Sequence, residues 1–322
     1  MNSNNSDKNA NKTGQEVTKT KQWCMVVDIA KCENCNNCFI ACKDEHYGND
    51  WAGYTDSQPL HGHRWMNILR KEHGEFPYIR VAYLPKPCFH CANAPCINKA
   101  SDNQIYKRDD GIVIIDPAKA KGDTELIKHC PYGAIWWNEE KQTAQKCTLC
   151  AHLLDEGWKA PRCVQACPTG ALTFHSINID EFDNFIESNK LVDFGAEEGS
   201  ENVPHHCVLY KNLDLYNCCF IAGSVAVKTE KIVSGENIIV EDCVANATVQ
   251  LYKNNSLIAQ TITDTFGDYR FDGLHENSGE YQIKITYDII NNSTNSDPEK
   301  HTKHTLIEVI LKKSCFAGIT WI

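Results

Sequence analysis

The spacing of cysteines constrains this chain more than any other feature. Twelve of its 18 cysteines fall into readable runs. Cys32, Cys35, Cys38 and Cys42 are spaced C-x2-C-x2-C-x3-C. Cys88, Cys91 and Cys96 follow C-x2-C-x4-C, and Cys130 stands alone ahead of Pro131. Cys147, Cys150, Cys163 and Cys167 follow C-x2-C-x12-C-x3-C ahead of Pro168. In such runs three close thiolates hold three irons of a [4Fe–4S] cubane, and the fourth ligates the other cluster of a pair. Soft thiolate sulfur is the ligand that iron–sulfur clusters select.

The crossing rule predicts three ligand sets. Cys32, Cys35 and Cys38 take the distant Cys167, and Cys147, Cys150 and Cys163 take Cys42. Cys88, Cys91 and Cys96 then take Cys130, the remaining cysteine in a suitable context, His129-Cys-Pro-Tyr-Gly133. A fourth cluster would need cysteines near Ala100, Ala120, Asp123 and Leu126. All four positions lack one together, so the expected cofactors are three [4Fe–4S] clusters. Two other frameworks fit less well. A zinc ribbon would use Cys88, Cys91, Cys147 and Cys150, and a disulfide framework belongs to small secreted domains rather than to a chain of 322 residues.

Length suggests about two domains. A net charge of −10 excludes the basic stripes of nucleic-acid binders. No apolar run approaches the ~20 residues of a membrane-spanning helix. Residues 1–22 are Asn- and Lys-rich, without the apolar segment of a secretory signal and without a twin-arginine pair. They read as an unstructured extension. Reduced thiolates suit a reducing compartment, so a cytoplasmic protein is expected.

The ligand cysteines all lie within residues 23–175, a ferredoxin-type domain that opens on a short strand, Cys24–Asp28. Residues 43–87 form a long insertion rich in Trp, Tyr and His, and Gly111–Asp116 reads as a buried strand. Residues 176–219 form an acidic connector. Its stretch from Ser176 to Asn202 holds eight acids and one base, and Ile179, Phe182, Phe185 and Ile186 are spaced for one helix. Seven β-rich runs between Ile221 and Leu311, separated by turn signals, predict a small β-sandwich over 220–322. The run Thr263–Leu274, followed by Tyr281, resembles prealbumin-like or Cna-B-type repeat domains. The fold class expected is therefore α+β: a ferredoxin-like multi-[4Fe–4S] domain followed by a seven-stranded β-sandwich.

Further motifs carry a family resemblance. They are Cys42-Lys-Asp-Glu45, Trp65-Met-Asn67 ahead of Gly74, Cys88-Phe-His-Cys91, Pro95-Cys96, Arg108-Asp-Asp-Gly111, Cys130-Pro-Tyr-Gly-Ala134, Gln145-Lys-Cys-Thr-Leu-Cys150 and Pro161–Leu172. Together they resemble the iron–sulfur electron-transfer subunits of the dimethyl-sulfoxide-reductase family of molybdenum and tungsten enzymes. The absent fourth cluster, Gly62–Ile68, Ala151–Asp155 and the appended β domain are similar to the transhydroxylase branch of that family. The polar N-terminal extension and Cys218, Cys219 and Cys315 depart from it. The resemblance implies a heterodimer. Its large catalytic subunit would hold molybdenum with two pterin guanine dinucleotides, and the active site would not be on this chain.

Three roles compete at this point. In the first, the clusters relay or store electrons beside the molybdenum site of a transhydroxylase or another molybdopterin oxidoreductase. In the second, they only hold the fold together, since metal binding also drives folding. In the third, the chain is a self-contained enzyme, which would need a cubane with an open iron. Among other residues, His61, His63, His90 and His152 read as hydrogen-bonded structural histidines that could also tune a cluster. Trp136 and Trp137 read as shields against water, and Cys24 as a small buried apolar residue. Lys146 is either a local positive charge or a solvated lysine. Cys207, Cys218, Cys219, Cys243 and Cys315 lack ligand spacing and read as free thiols.

Overall fold

The computed structural model describes residues 21–194, 206–233, 236–291 and 299–322. Most of the expected N-terminal extension, residues 1–20, lies outside them, as do residues 195–205 of the acidic connector. The chain is mostly strands with few helices.

The first strand runs Lys21–Asp28, beginning earlier than expected. It is the middle strand of a three-stranded sheet. It pairs antiparallel with Leu172–Asn178 (Val26 opposite Thr173) and parallel with Val208–Lys211 (Met25 opposite Val208). Side chains alternate across a strand, and both faces here are covered. Met25 and Val27 enter the core that holds most of the ligand cysteines. Cys24 and Val26 face a smaller core with Ile177, Phe182, Ile186 and Leu209. Phe182 and Ile186 come from the helix Phe182–Asn189, whose four-residue apolar spacing was legible in the sequence. The acidic connector thus contributes both a helix and a strand to the domain that precedes it.

The insertion between the first two cysteine runs contains a nine-by-nine-residue hairpin, Asn67–Glu75 paired with Tyr78–Lys86. Its far end meets the C-terminal domain. Tyr78 Oη lies 3.0 Å from Ser224 Oγ, and Arg80 donates to Asp272 at 2.6 Å and to the Cys218 carbonyl at 3.1 Å. The buried Phe220 ring lies beneath the Arg80 guanidinium.

Among the described residues, Cys219–Trp321 form eight strands in two four-stranded sheets. One sheet has the order Glu236–Cys243, Cys219–Val233, Asp268–Leu274, with Cys315–Trp321 parallel on the second of these. The other has the order Ser256–Ile262, Thr248–Lys253, Gly279–Asn291, Glu299–Leu311. Ile221, Val225 and Phe271 from one sheet and Val249, Ile283 and Ile285 from the other share one apolar cluster. The strand count exceeds the expected seven because Cys315–Trp321, interrupted by Gly318, lacks clear alternation in sequence yet pairs along Ile221–Ala226.

Candidate metal centres

The local backbone of each C-x2-C loop is distinctive. The residue two beyond the first cysteine is left-handed in three of the four, Asn34 (φ 57°), His90 (φ 49°) and Leu149 (φ 51°), and between Cys35 and Cys38 it is Asn36 (φ 61°) instead. For a bulky residue such as Leu149 this conformation costs about 1–2 kcal/mol. Strain of this kind gathers at functional sites, and here it turns peptide N–H groups toward sulfur. Leu149 N donates to Cys147 Sγ at 3.4 Å. Similar backbone donors reach the other loops, from Asn34 to Cys32, Phe39 to Cys38, Met66 to Cys42 and Arg162 to Cys150. In both Cys-Pro-x-Gly corners, Gly133 and Gly170 are left-handed (φ 65° each), and Ala134 N donates to Cys130 Sγ at 3.3 Å.

Mutual electrostatics group the thiols. Burial pushes Cys38 up to about 12, with Cys32, Cys35 and Cys167 adding to the effect. Burial also raises Cys163 well above the ordinary thiol range, reinforced by Cys150, Cys147 and Cys42. Cys91 is pushed up to about 12 by burial, then by Cys88, Cys96 and Cys130. The thiols that act on one another thus include Cys32, Cys35, Cys38 and Cys167, then Cys42, Cys147, Cys150 and Cys163, then Cys88, Cys91, Cys96 and Cys130. The helix Asn37–His46 carries Cys38 and Cys42 one turn apart and packs against the helix Arg162–Gln165, which carries Cys163 and precedes Cys167. That helix pair draws the first and last cysteine runs to one seam.

The sets also adjoin in a row. Cys38 acts on Cys163, joining the first set to the second. Cys88 acts on Cys147 both by charge and through a backbone N–H bond, joining the second to the third.

The donor chemistry fits a cluster better than one ion. Around the third set the chain forms a pocket lined by Cys88, Cys91, Cys96 and Cys130 and otherwise largely by apolar groups such as Phe89, Val113 and Ile135. Among the described residues, no three His, Cys, Asp or Glu side chains are spaced for a single metal ion. Thiols raised by burial ionise together only against a compensating positive charge, which a coordinated metal supplies.

The positions where a fourth site would need cysteines are filled. Ala120 and Leu126 are buried in one apolar cluster with Ile105 and Ile115, Ala100 packs against it, and Asp123 accepts a bond from Gln104 at 3.0 Å.

Other residues fall into place around these sets. Lys146, read as local charge or solvated lysine, is 2 % exposed. His63 bonds the Trp137 carbonyl at 2.9 Å, His152 bonds Glu45 at 3.1 Å, and His61 is exposed. Trp136 packs near His63, and Trp137 against the core of the third set. Sequence reasoning missed His46, which is 1 % exposed, lies 3.9 Å from Cys150 Sγ and is pushed down to about 3 by burial, His152 and Lys43. Trp65, quoted only as part of a motif, is buried against it. Cys24, Cys207, Cys218, Cys219, Cys243 and Cys315 lie outside the three sets and form no disulfide, and Cys207 packs against Gly111.

Residues 79–177 match the 4Fe-4S dicluster domain family. The chain belongs to the iron–sulfur subunits of the dimethyl-sulfoxide-reductase family of molybdenum enzymes, as an electron-transfer subunit. Within that class, the pyrogallol hydroxytransferase small subunit of Pelobacter acidigallici is 42% identical over 271 residues, 83% of this chain and 92% of that one. The thiosulfate reductase electron transfer subunit of Salmonella typhi is 28% identical over 52% of this chain and 82% of its own length. The putative dimethyl sulfoxide reductase iron-sulfur subunit of Halobacterium salinarum is 30% identical over 49% and 67%. No helix among the described residues is long and apolar enough to cross a membrane.

Proposed function

We propose that the chain holds three [4Fe–4S] cubanes and serves a pyrogallol hydroxytransferase-like enzyme. Its large partner subunit would carry molybdenum with two pterin guanine dinucleotides. The ligand sets are Cys32, Cys35, Cys38 and Cys167; Cys147, Cys150, Cys163 and Cys42; and Cys88, Cys91, Cys96 and Cys130. One observation carries this reading: three thiol foursomes, each drawn together, adjoin in a row. Bound cubanes supply one-electron storage and transfer. The chain's part is to fix their spacing, cover them with Trp65, Phe89 and Leu149, and direct peptide N–H groups at sulfur.

We place the cluster domain at residues 21–211, because Val208–Lys211 pairs with the first strand. The two-sheet C-terminal domain resembles a prealbumin- or Cna-B-like sandwich and carries no ligand set. Its contacts with the hairpin Asn67–Lys86 support a docking or stabilising role. A mainly structural role for the clusters is the second reading, supported by the burial of Cys38, Cys42, Cys88, Cys147 and Cys163 inside the main core.

The test is iron and acid-labile sulfide on the purified heterodimer, with the partner's own metal centres counted separately, together with turnover at poised potentials. About twelve irons per small subunit are expected, four for each cubane. Iron for two or four cubanes would overturn the count. Turnover indifferent to cluster redox state would favour the structural reading.

A further inference from the structure

Val113 holds two side chains against the third thiol set. Its N–H donates to His90 Nδ1 at 2.9 Å, and its carbonyl accepts from the Lys146 ammonium, which also donates to the Cys147 carbonyl at 3.0 Å. Both side chains are almost fully buried (His90 1 %, Lys146 2 %) and line the pocket formed with Cys88, Cys91, Cys96 and Cys130.

Each is incompletely satisfied by protein. Because His90 Nδ1 accepts a bond, a neutral imidazole carries its proton on Nε2. That Nε2 is buried with no hydrogen-bond partner, and a buried donor left unpaired is costly. Lys146 has two carbonyls and, among the described residues, no carboxylate partner. A buried ammonium without a counter-ion is costlier still. What both groups lack is a buried anion, and a cubane with four thiolates is one.

We propose that Lys146 and His90 are tuning residues of the third cubane: a fixed positive charge and a neutral N–H donor that stabilise its reduced form. This rests on the third thiol set holding a cluster. Cations and N–H···S bonds favour the state carrying the extra electron, and they act strongly where water is excluded. Lys146 also adjoins Cys147, so its charge reaches the second set as well. The first set, whose neighbouring Lys31 is solvent-exposed and paired with Asp28, serves as an internal control.

The experiment is EPR-monitored redox titration of the intact heterodimer, comparing wild type with Lys146→Met and Lys146→Arg. At the wild-type midpoint of the third cubane, Lys146→Met lowers the reduced-to-oxidised ratio at least tenfold, a shift of about 59 mV for one electron. Lys146→Arg stays within threefold, and the first cubane is unmoved. A second measurement needs no Lys146 variant to assemble. Pulsed EPR of wild type with ¹⁵N-imidazole-labelled histidine shows a nitrogen coupling on the third cubane that His90→Phe abolishes. Three loaded clusters with an unmoved midpoint in Lys146→Met, or no imidazole coupling in wild type, overturns the proposal. A wild-type complex with iron for only two cubanes instead overturns the ligand assignment on which it rests.

Discussion

Replacing Gly74 tests how the two domains are joined. Gly74 lies in the strand Asn67–Glu75 with φ +87°. A Cβ there would stand 2.2 Å from the Tyr78 carbonyl oxygen and 2.6 Å from the Phe220 ring. Gly74→Ala therefore incurs two costs. The left-handed backbone costs about 1–2 kcal/mol for an L-residue. Overpacking costs about 1–3 kcal/mol, and no rotamer relieves it because the carbonyl belongs to the paired strand. The sum is about 2–5 kcal/mol, placed at the seam where Phe220 enters. Asparagine tolerates the backbone but keeps the Cβ, so Gly74→Asn isolates the overpacking. The assay is urea unfolding of the heterodimer, read by cluster absorbance and by amide exchange in the strand Cys219–Val233. Gly74→Ala is expected to speed exchange in that strand at urea concentrations where cluster absorbance persists, with Gly74→Asn intermediate. Unchanged exchange would refute the steric reasoning. Loss of cluster absorbance in step with exchange would show that the domains unfold as one unit.

Other outcomes follow from the same contacts. Cys130→Ser is expected to damage only the cluster at Cys88, Cys91 and Cys96, and Cys167→Ser only the one at Cys32, Cys35 and Cys38. Disturbance of the Cys147 cluster by Cys167→Ser, seen by EPR, would refute the crossed sets. Asp155 is held below the ordinary carboxylate range by its bonds to Arg108, despite partial burial. Its pKa is depressed by folding, so its stabilisation is full above pH ~4 and fades as pH falls further. Arg108→Met is expected to cost about 1 kcal/mol at pH 7, discounted for exposure, and progressively less in acid, measured by denaturant titration across pH. Deleting residues 220–322 is expected to leave cluster absorbance intact while weakening co-elution with the large subunit. A soluble product without clusters would refute the separation of the domains.

The iron–sulfur character was legible because the spacing of the cysteine runs is local in sequence. The left-handed turns at Asn34, His90 and Leu149 were not read from sequence. Asn and His tolerate that conformation without requiring it, and leucine does not favour it. The burial of Lys146 was ambiguous because its partners include the Val113 carbonyl, 33 residues away. The hairpin Asn67–Lys86 was visible only as an aromatic insertion. Its far end carries exposed Phe76 and Ile79, and its purpose depends on Phe220, which no local pattern links to it. The helix Phe182–Asn189 was readable from apolar periodicity. The parallel pairing of Val208–Lys211 was not, because nothing in four residues specifies a partner near the N-terminus.

That first strand also governs the order in which the chain can be made. Val26 meets Thr173 and Val208 meets Met25, so the strand gains its first neighbour only after more than half of the polypeptide has left the ribosome, and its second only near two-thirds. Closing a loop of ~150 residues costs roughly 4 kcal/mol from length alone. Cys167, the partner proposed for the Cys32 loop, emerges only a few residues before Thr173. Iron delivered during synthesis would find the third thiol set complete first, at Cys130. The second follows at Cys163 and the first at Cys167. Maturation of this subunit should therefore proceed from the middle of the chain outward, with the N-terminal strand sealing the domain last.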